Sequence, residues 1–254
     1  MPEAPNQFVW HELMTSDANA AESFYVNVIG WEAKDSGMPG QSYTLLSAGA
    51  TMVAGLMPTP PHAAGVPPNW MGYIGVNDVD AYAERVKAAG GSICRDPEDI
   101  PNIGRFSVAQ DPHGAMFTLF SGSGEMPPAA APGTPGHVGW NELHADDLDS
   151  AWAFYSGLFG WTKAEAVDMG PMGIYQTFAT GGAPVGGMMT KMPEAPAPSW
   201  LYYFNVDAID AAVARVTEFG GKIMQDPHQV PGGSWIVVAL DPQGASFALV
   251  ALKR

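Results

Sequence analysis

The chain has a single cysteine, Cys94, so no intrachain disulfide is possible and cysteine-rich zinc sites are excluded by count. Cationic residues are scarce. Eleven Lys and Arg stand against 26 Asp and Glu, a net charge of −15. Nucleic acid and an anionic membrane surface both need a cationic face, so neither is an expected partner. The acidic balance suits a solvated surface or a cationic ligand. No apolar run is long enough to span a bilayer. The stretch Met1-Pro2-Glu3-Ala4-Pro5 carries neither the basic nor the apolar region of a secretory leader. The expectation is a cytoplasmic protein without membrane association. A Gly-rich phosphate loop is missing, and Ser156-Gly157 lies inside a helical stripe rather than at a nucleophile elbow.

What is present is a core-forming composition, 46% apolar over 254 residues, punctuated by 23 Pro and 30 Gly. Such punctuation suits short strands and turns. The chain also repeats itself. Trp10, Glu12, Leu13, Asp17, Ala21, Phe24, Tyr25, Gly30 and Trp31 recur at an offset of 130 as Trp140, Glu142, Leu143, Asp147, Ala151, Phe154, Tyr155, Gly160 and Trp161. Trp70, Tyr73, Val76, Asp80 and Arg85 recur as Trp200, Tyr203, Val206, Asp210 and Arg215, and Asp111-Pro112 as Asp241-Pro242. Residues 8–33 and 68–120 share 31 identities in 79 ungapped pairs with their counterparts, so the unit is duplicated. Tyr43 matches Tyr175 at offset 132, making the middle hairpin two residues longer in the second copy. The expected domains are 1–120 and 137–254, joined by a Gly/Pro/Ala linker over 121–136.

Each copy divides again. Residues 8–14 alternate as a strand, Asp17 is placed as an N-cap, and Ala21, Phe24, Tyr25, Val28 and Ile29 form one helical face that Gly30 ends. Strands are expected near 31–35, 42–48 and 51–57, followed by a Pro-rich loop over 58–68. The pattern restarts with a strand at 70–76, a helical stripe through Val79, Tyr82, Ala83 and Val86, and strands near 91–95, 105–110 and 115–120. The fold class is therefore α+β, with four βαβββ modules.

The stretches FYVNVIGW, FYSGLFGW, DPHGAMFTLF and DPQGASFALV resemble the vicinal oxygen chelate superfamily, which includes glyoxalase I, bleomycin-resistance proteins and extradiol dioxygenases. WNEL at 140–143 and PNIGRFSV at 101–108 resemble its tandem actinobacterial members, often labelled hydroxylases. The resemblance implies paired modules curled into open curved β-barrels with helices outside and a ligand in each cup. It also implies a divalent metal held by His and Glu. The corresponding positions here are Trp10, Met71 and Thr118 in the first copy, and Trp140, Leu201 and Ala248 in the second. None supplies the oxygen or imidazole donors that zinc, nickel or iron needs. No metal or other cofactor is expected.

Among the six histidines, His62, His113, His137 and His228 fall in loops, a turn, the linker or beside proline and are read as exposed. His11 alternates with Trp10 and Glu12 and should face the helix layer. His144 shares strand parity with Glu142 and Trp140. The catalytic candidates are Glu142, His144 and Glu12, either as proton carriers or as carboxylates that tie the barrel together. Trp10, Trp70, Tyr73, Trp140, Trp200, Tyr203 and Trp235 are candidate walls for a flat or hydrophobic ligand, or architectural parts; Trp31 and Trp161 read as core. Met52, Met57, Met188 and Met189 would line a compliant cavity or fill the core. Cys94 reads as packed. Arg105 is the expected partner of Glu12; its counterpart is Trp235, so the second cup is the expected site of chemistry.

Three functions follow. One is a metal-independent enzyme acting on a small carbonyl or oxygenated aromatic compound. A second is a small-molecule sequestering protein of the bleomycin-resistance type. The third, a metal-dependent hydroxylase or dioxygenase, requires ligands the sequence lacks. The expected assembly is a monomer enclosing a pseudo-dimer, with a homodimer as the alternative.

Overall fold

The computed structural model describes residues 6–38, 40, 42–124 and 130–254. The leader reading at Met1–Pro5, the middle of the linker and the side chain of His62 lie outside these residues. Four βαβββ modules are present, as the duplicated pattern requires. The first comprises β1 (Phe8–Thr15), α1 (Ala18–Ile29), β2 (Glu32–Asp35), β3 (Thr44–Ala48) and β4 (Thr51–Pro58). The second comprises β5 (Asn69–Gly75), α2 (Val79–Ala88), β6 (Ser92–Ile100), β7 (Gly104–Gln110) and β8 (Met116–Gly122). The third comprises β9 (Val138–Ala145), α3 (Leu148–Phe159), β10 (Thr162–Asp168), β11 (Ile174–Ala179) and β12 (Pro184–Thr190). The fourth comprises β13 (Ser199–Asn205), α4 (Ile209–Glu218), β14 (Lys222–Gln229), β15 (Trp235–Leu240) and β16 (Ser246–Ala251).

Local chemistry sets the element ends. Asp17 and Asp147 cap α1 and α3 by accepting from the amides of Ala20 and Ser150. Gly30 and Gly160 end those helices at φ +89° and +69°, a left-handed turn that glycine adopts without Cβ strain. Within each module the first strand runs parallel to the last, and the other strands follow antiparallel, giving β2-β3-β4-β1 in the first and β10-β11-β12-β9 in the third. Modules two and four follow β5-β8-β7-β6 and β13-β16-β15-β14. These sheets are not closed into barrels.

By contact, the chain forms two compact units that cut across the repeat. Among the described residues, a central unit holds 6–9, 71–124 and 141–200, mainly modules two and three; a terminal unit holds those of 10–70, 130–140 and 201–254, mainly modules one and four. Each unit is locked by residues that recur in both copies. In the terminal unit the Tyr25 hydroxyl donates to Asp241 (3.1 Å) and accepts from Trp70 Nε1 (2.9 Å), while Arg215 Nε donates to the Val28 carbonyl (3.0 Å). In the central unit Tyr155 donates to Asp111 (3.3 Å) and accepts from Trp200 (3.1 Å), and Arg85 donates to the Leu158 carbonyl (2.6 Å). Each lock joins a helix of one copy to the Asp-Pro turn of the other. Burial holds the Tyr25 hydroxyl well above its usual range, with the Asp241 charge adding to it, so the phenol stays a donor. Trp31 and Trp161 are core, as expected, at 2% and 3% exposure.

Candidate functional site

Strand alternation places the candidate carboxylates. On β9, Glu142 and His144 share a face, and their side chains meet: His144 Nε2 lies 2.7 Å from Glu142 Oε1. The Tyr175 hydroxyl donates to Glu142 Oε2, also at 2.7 Å. Glu142 is buried, whereas the His144 side chain is 33% exposed. With Glu142 ionised, the shared hydrogen lies on His144 Nε2 and Nδ1 is its basic nitrogen. The central unit therefore holds a buried carboxylate between a phenol and a solvent-touching imidazole.

The terminal unit holds the first copy of this carboxylate. Glu12 on β1 is buried and hydrogen-bonded to the Tyr43 side chain. Trp10 Nε1 donates to the Tyr43 oxygen at 3.0 Å. Burial, then the Glu12 charge, pushes the Tyr43 phenol far above its usual range, against the smaller opposing effect of Trp10. Tyr43 and Tyr175 are the residues the sequence reading missed. The signal was their match at offset 132, an offset that also carries Gly55 onto Gly187. Gly55 is the Cα partner of Glu12, and Gly187 that of Glu142. A Cβ at either glycine would overlap the tyrosine ring and its oxygen.

Several wall candidates sit elsewhere than expected. Trp70 and Tyr73 are on opposite faces of β5, and Trp200 and Tyr203 on opposite faces of β13, so each pair cannot line one surface. Trp70 and Trp200 belong to the buried aromatic core, fixed by Tyr25 and Tyr155. Tyr73 packs edge-on to Phe120 at 6.0 Å, on the face that carries Met71. Tyr203 joins Leu201 and Ala248 in an apolar cluster against which Trp140, Ile236 and Val238 pack. Trp235 has the other parity on β15 and lies under the Arg254 guanidinium at 4.9 Å.

Arg105 also sits elsewhere than expected. It was expected beside Glu12, but β7 parity turns it toward the helix layer. Its Nε and Nη2 bind Asp80 of α2 at 2.6 and 2.8 Å, and Nη1 binds Asp99 at 2.9 Å. Both partners are exposed, and this clamp holds α2 to the sheet edge. Cys94, read as packed, is exposed on β6; the side chain of its neighbour Ile93 is on the opposite face. His113, His137 and His228, read as exposed, are half-buried, and His113 Nε2 is 2.8 Å from Ser150 Oγ. His11 faces away from Glu12, as expected, and packs edge-on to Tyr202 at 4.7 Å. Met188 is core, while Met52 is exposed.

The metal-ligand positions implied by resemblance can be tested on their contacts. Trp140, Leu201 and Ala248 do converge, but as the apolar cluster described above. Met71 and Thr118 also meet, the threonine hydroxyl donating to the methionine sulfur at 2.9 Å. A thioether, a hydroxyl already engaged and an apolar trio do not fit the divalent metal of the resemblance. Among the described residues no group of three His, Cys, Asp or Glu side chains gathers elsewhere.

Comparison with known proteins agrees with this architecture. A family model described as the Glyoxalase/Bleomycin resistance protein/Dioxygenase superfamily matches twice, over residues 6–119 and 134–249. The Mycobacterium tuberculosis protein named "Putative glyoxylase CFP32" is 36% identical over 245 residues, covering 95% of this chain and 93% of its own. The anthracycline biosynthesis protein DauV of Streptomyces sp. strain C5 is 34% identical over 266 residues, covering 99% and 95%. In fold, the chain is similar to the Mn(II)-bound glyoxalase of Novosphingobium aromaticivorans, at TM-score 0.67 and 17% identity over 99% of this chain and 84% of that one. It is likewise similar to the 2,3-dioxygenase LapB of Pseudomonas sp. KL28, at TM-score 0.68 and 12% identity over 96% and 91%. Two matched repeats, four βαβββ modules and full-length relatives at over 30% identity give one conclusion: the chain belongs to the glyoxalase/bleomycin-resistance/dioxygenase superfamily.

Proposed function

We propose that the protein is a metal-independent enzyme that moves a proton on a small carbonyl or oxygenated aromatic compound, with Glu142 and His144 of the second copy as the working pair. The observation that carries this reading is the Glu142 carboxylate held at 2.7 Å by both Tyr175 and His144. Buried Glu142 fixes the imidazole tautomer, and the partly exposed imidazole passes the proton between substrate and solvent. In the step itself, a C–H bond next to the carbonyl breaks and an N–H bond forms on His144 Nδ1. The electron pair moves to the carbonyl oxygen, and reprotonation reverses the sequence. An oxygen-rich aromatic substrate is consistent with the relative named for anthracycline biosynthesis. Both locks join the two copies of one chain, which supports a self-sufficient monomer.

The test is solvent exchange. Hydroxylated aromatic ketones and α-ketoaldehydes, the latter with and without a small thiol, are incubated with the protein in D2O and followed by NMR. Deuterium should enter next to the carbonyl, undiminished by a chelator, and Glu142→Gln should slow it. Exchange that disappears on chelation and returns with a divalent metal overturns the metal-independent reading. Saturable binding of these compounds with no exchange overturns the enzyme reading in favour of sequestration.

A further inference from the structure

We propose that Tyr175 is the positioning residue of the Glu142–His144 pair, and that Gly187 is the slot through which it reaches the carboxylate. The role assigned to that pair rests on the proton-transfer reading above; the slot does not. Tyr175 is on β11, Glu142 on β9, and β12 runs between them. Strands two places apart are separated by roughly 10 Å, so a phenol crosses only if the strand between offers no side chain beneath it. Gly187 meets that condition. It is the Cα partner of Glu142, and a Cβ there would overlap the Tyr175 ring and oxygen.

The first copy repeats the device although its hairpin is two residues shorter. Gly55 is the Cα partner of Glu12, and its missing Cβ makes room for the Tyr43 oxygen. A phenol over glycine onto a glutamate is thus a property of the module. What differs is the residue two places on from the glutamate: Met14 in the first copy, a thioether with no proton to give, and His144 in the second. His144 both donates and accepts, and it touches solvent. The phenol holds the carboxylate in both copies, and the second adds an imidazole that can pass the proton to solvent.

Held at Oε2 by Tyr175, the Glu142 carboxylate cannot rotate freely, and Oε1 stays aimed at His144 Nε2. The phenol also favours the charged carboxylate over the neutral acid. Losing it should make Glu142 easier to protonate, even in Tyr175→Phe, where the ring still fills the slot.

The experiment reads Glu142 without substrate, in full-length protein labelled with 13C at the glutamate side-chain carboxyls. The pH midpoint of the Glu142 signal should rise by about one unit in Tyr175→Phe. It should rise similarly in Gly187→Ala, where the added methyl expels the ring, and the double variant should rise no further than either single one. Gly55→Ala carries the same kind of change in the other copy and should leave the Glu142 midpoint in place. Where exchange activity is present, Tyr175→Phe should lower kcat about tenfold with little change in KM. An unmoved Glu142 midpoint in Tyr175→Phe overturns the positioning role. A Gly187→Ala protein with the wild-type midpoint overturns the slot. Either result is obtained whether or not the protein turns over a carbonyl compound, so this proposal and the proton-transfer reading fail separately.

Discussion

Glu12 and Glu142 arose as one residue and now sit in two chemical settings. Both are buried, both accept from a tyrosine that crosses a glycine, and both lie on the first strand of their module. Trp10 donates to the Tyr43 oxygen rather than to Glu12, and two residues on from the glutamate stands Met14 in the first copy and His144, bonded to Glu142, in the second. The tyrosine–glycine–glutamate arrangement is therefore shared scaffolding, and the third residue decides whether it can exchange a proton. Duplication kept the geometry and let one side chain diverge. Burial and the Glu12 charge then hold Tyr43 neutral, so its chain of hydrogen bonds is a fixed strut rather than a relay.

Turnover should separate the two glutamates most widely. Glu142→Gln keeps the shape of the side chain but removes the charge that orients His144. It should cost about 100-fold in the rate of solvent exchange, the lower range for loss of a proton-transfer group. Glu12→Gln, which leaves every named partner of Glu142 in place, should change the same rate less than about threefold. Single-turnover exchange in D2O measures both. Equal losses would mean the copies work as one site, and a larger loss at Glu12 would reverse the assignment.

A second contrast concerns stability and sets the locks against each other. Tyr25→Phe removes the tyrosine from Asp241 Oδ2, whose Oδ1 keeps its two backbone amides, and strands the Trp70 indole N–H in a buried setting, where an unpaired polar group costs about 1–3 kcal/mol. Tyr155→Phe does the same to Asp111 and Trp200, across a longer 3.3 Å bond. Denaturant melts should show both variants destabilised, Tyr25→Phe by more. A Tyr155→Phe loss exceeding that of Tyr25→Phe would show that bond length does not rank the two locks.

These contrasts were unevenly legible in the sequence. The module pattern was readable because helix faces such as Ala21, Phe24, Tyr25, Val28 and Ile29 follow a local period, and all five are buried. Strand parity correctly paired Glu142 with His144, since residues two apart share a face wherever the strand goes. Parity also held the answer for Trp70 and Tyr73, and for Arg105, but choosing the face required knowing where the helices lie. Arg105 was drawn toward Glu12 by charge alone; Asp80 on α2, also charged, took it. Tyr43 and Tyr175 escaped because their contacts cross an intervening strand, and nothing local marks a side chain that reaches over a glycine. Their shared offset with Gly55 and Gly187 was visible, but it pointed to hairpin length rather than to chemistry.

The smallest effect sharpens the contrast from the alkaline side, at Tyr43. Its folded-state affinity for the proton is raised, chiefly by burial. A phenol in the unfolded chain ionises near pH 10. Below that pH both states hold the proton, and the contribution of Tyr43 to stability is constant. Above it the unfolded chain releases the proton while the folded chain keeps it, so folding stability must fall as pH rises. Tyr25 acts in the same direction, which means Tyr43 supplies only part of the slope. In Tyr43→Phe the loss of stability between neutral pH and pH 11 should therefore be shallower than in wild type, though not abolished. Urea unfolding midpoints across that range give the slope, and tyrosinate absorbance on the folded protein gives an independent reading, with Tyr43 silent until unfolding. If the absorbance shows Tyr43 ionising in the folded state near pH 10, the first copy is not sealed from solvent. The difference between a strut around Glu12 and a relay around Glu142 would then have to rest on His144 alone.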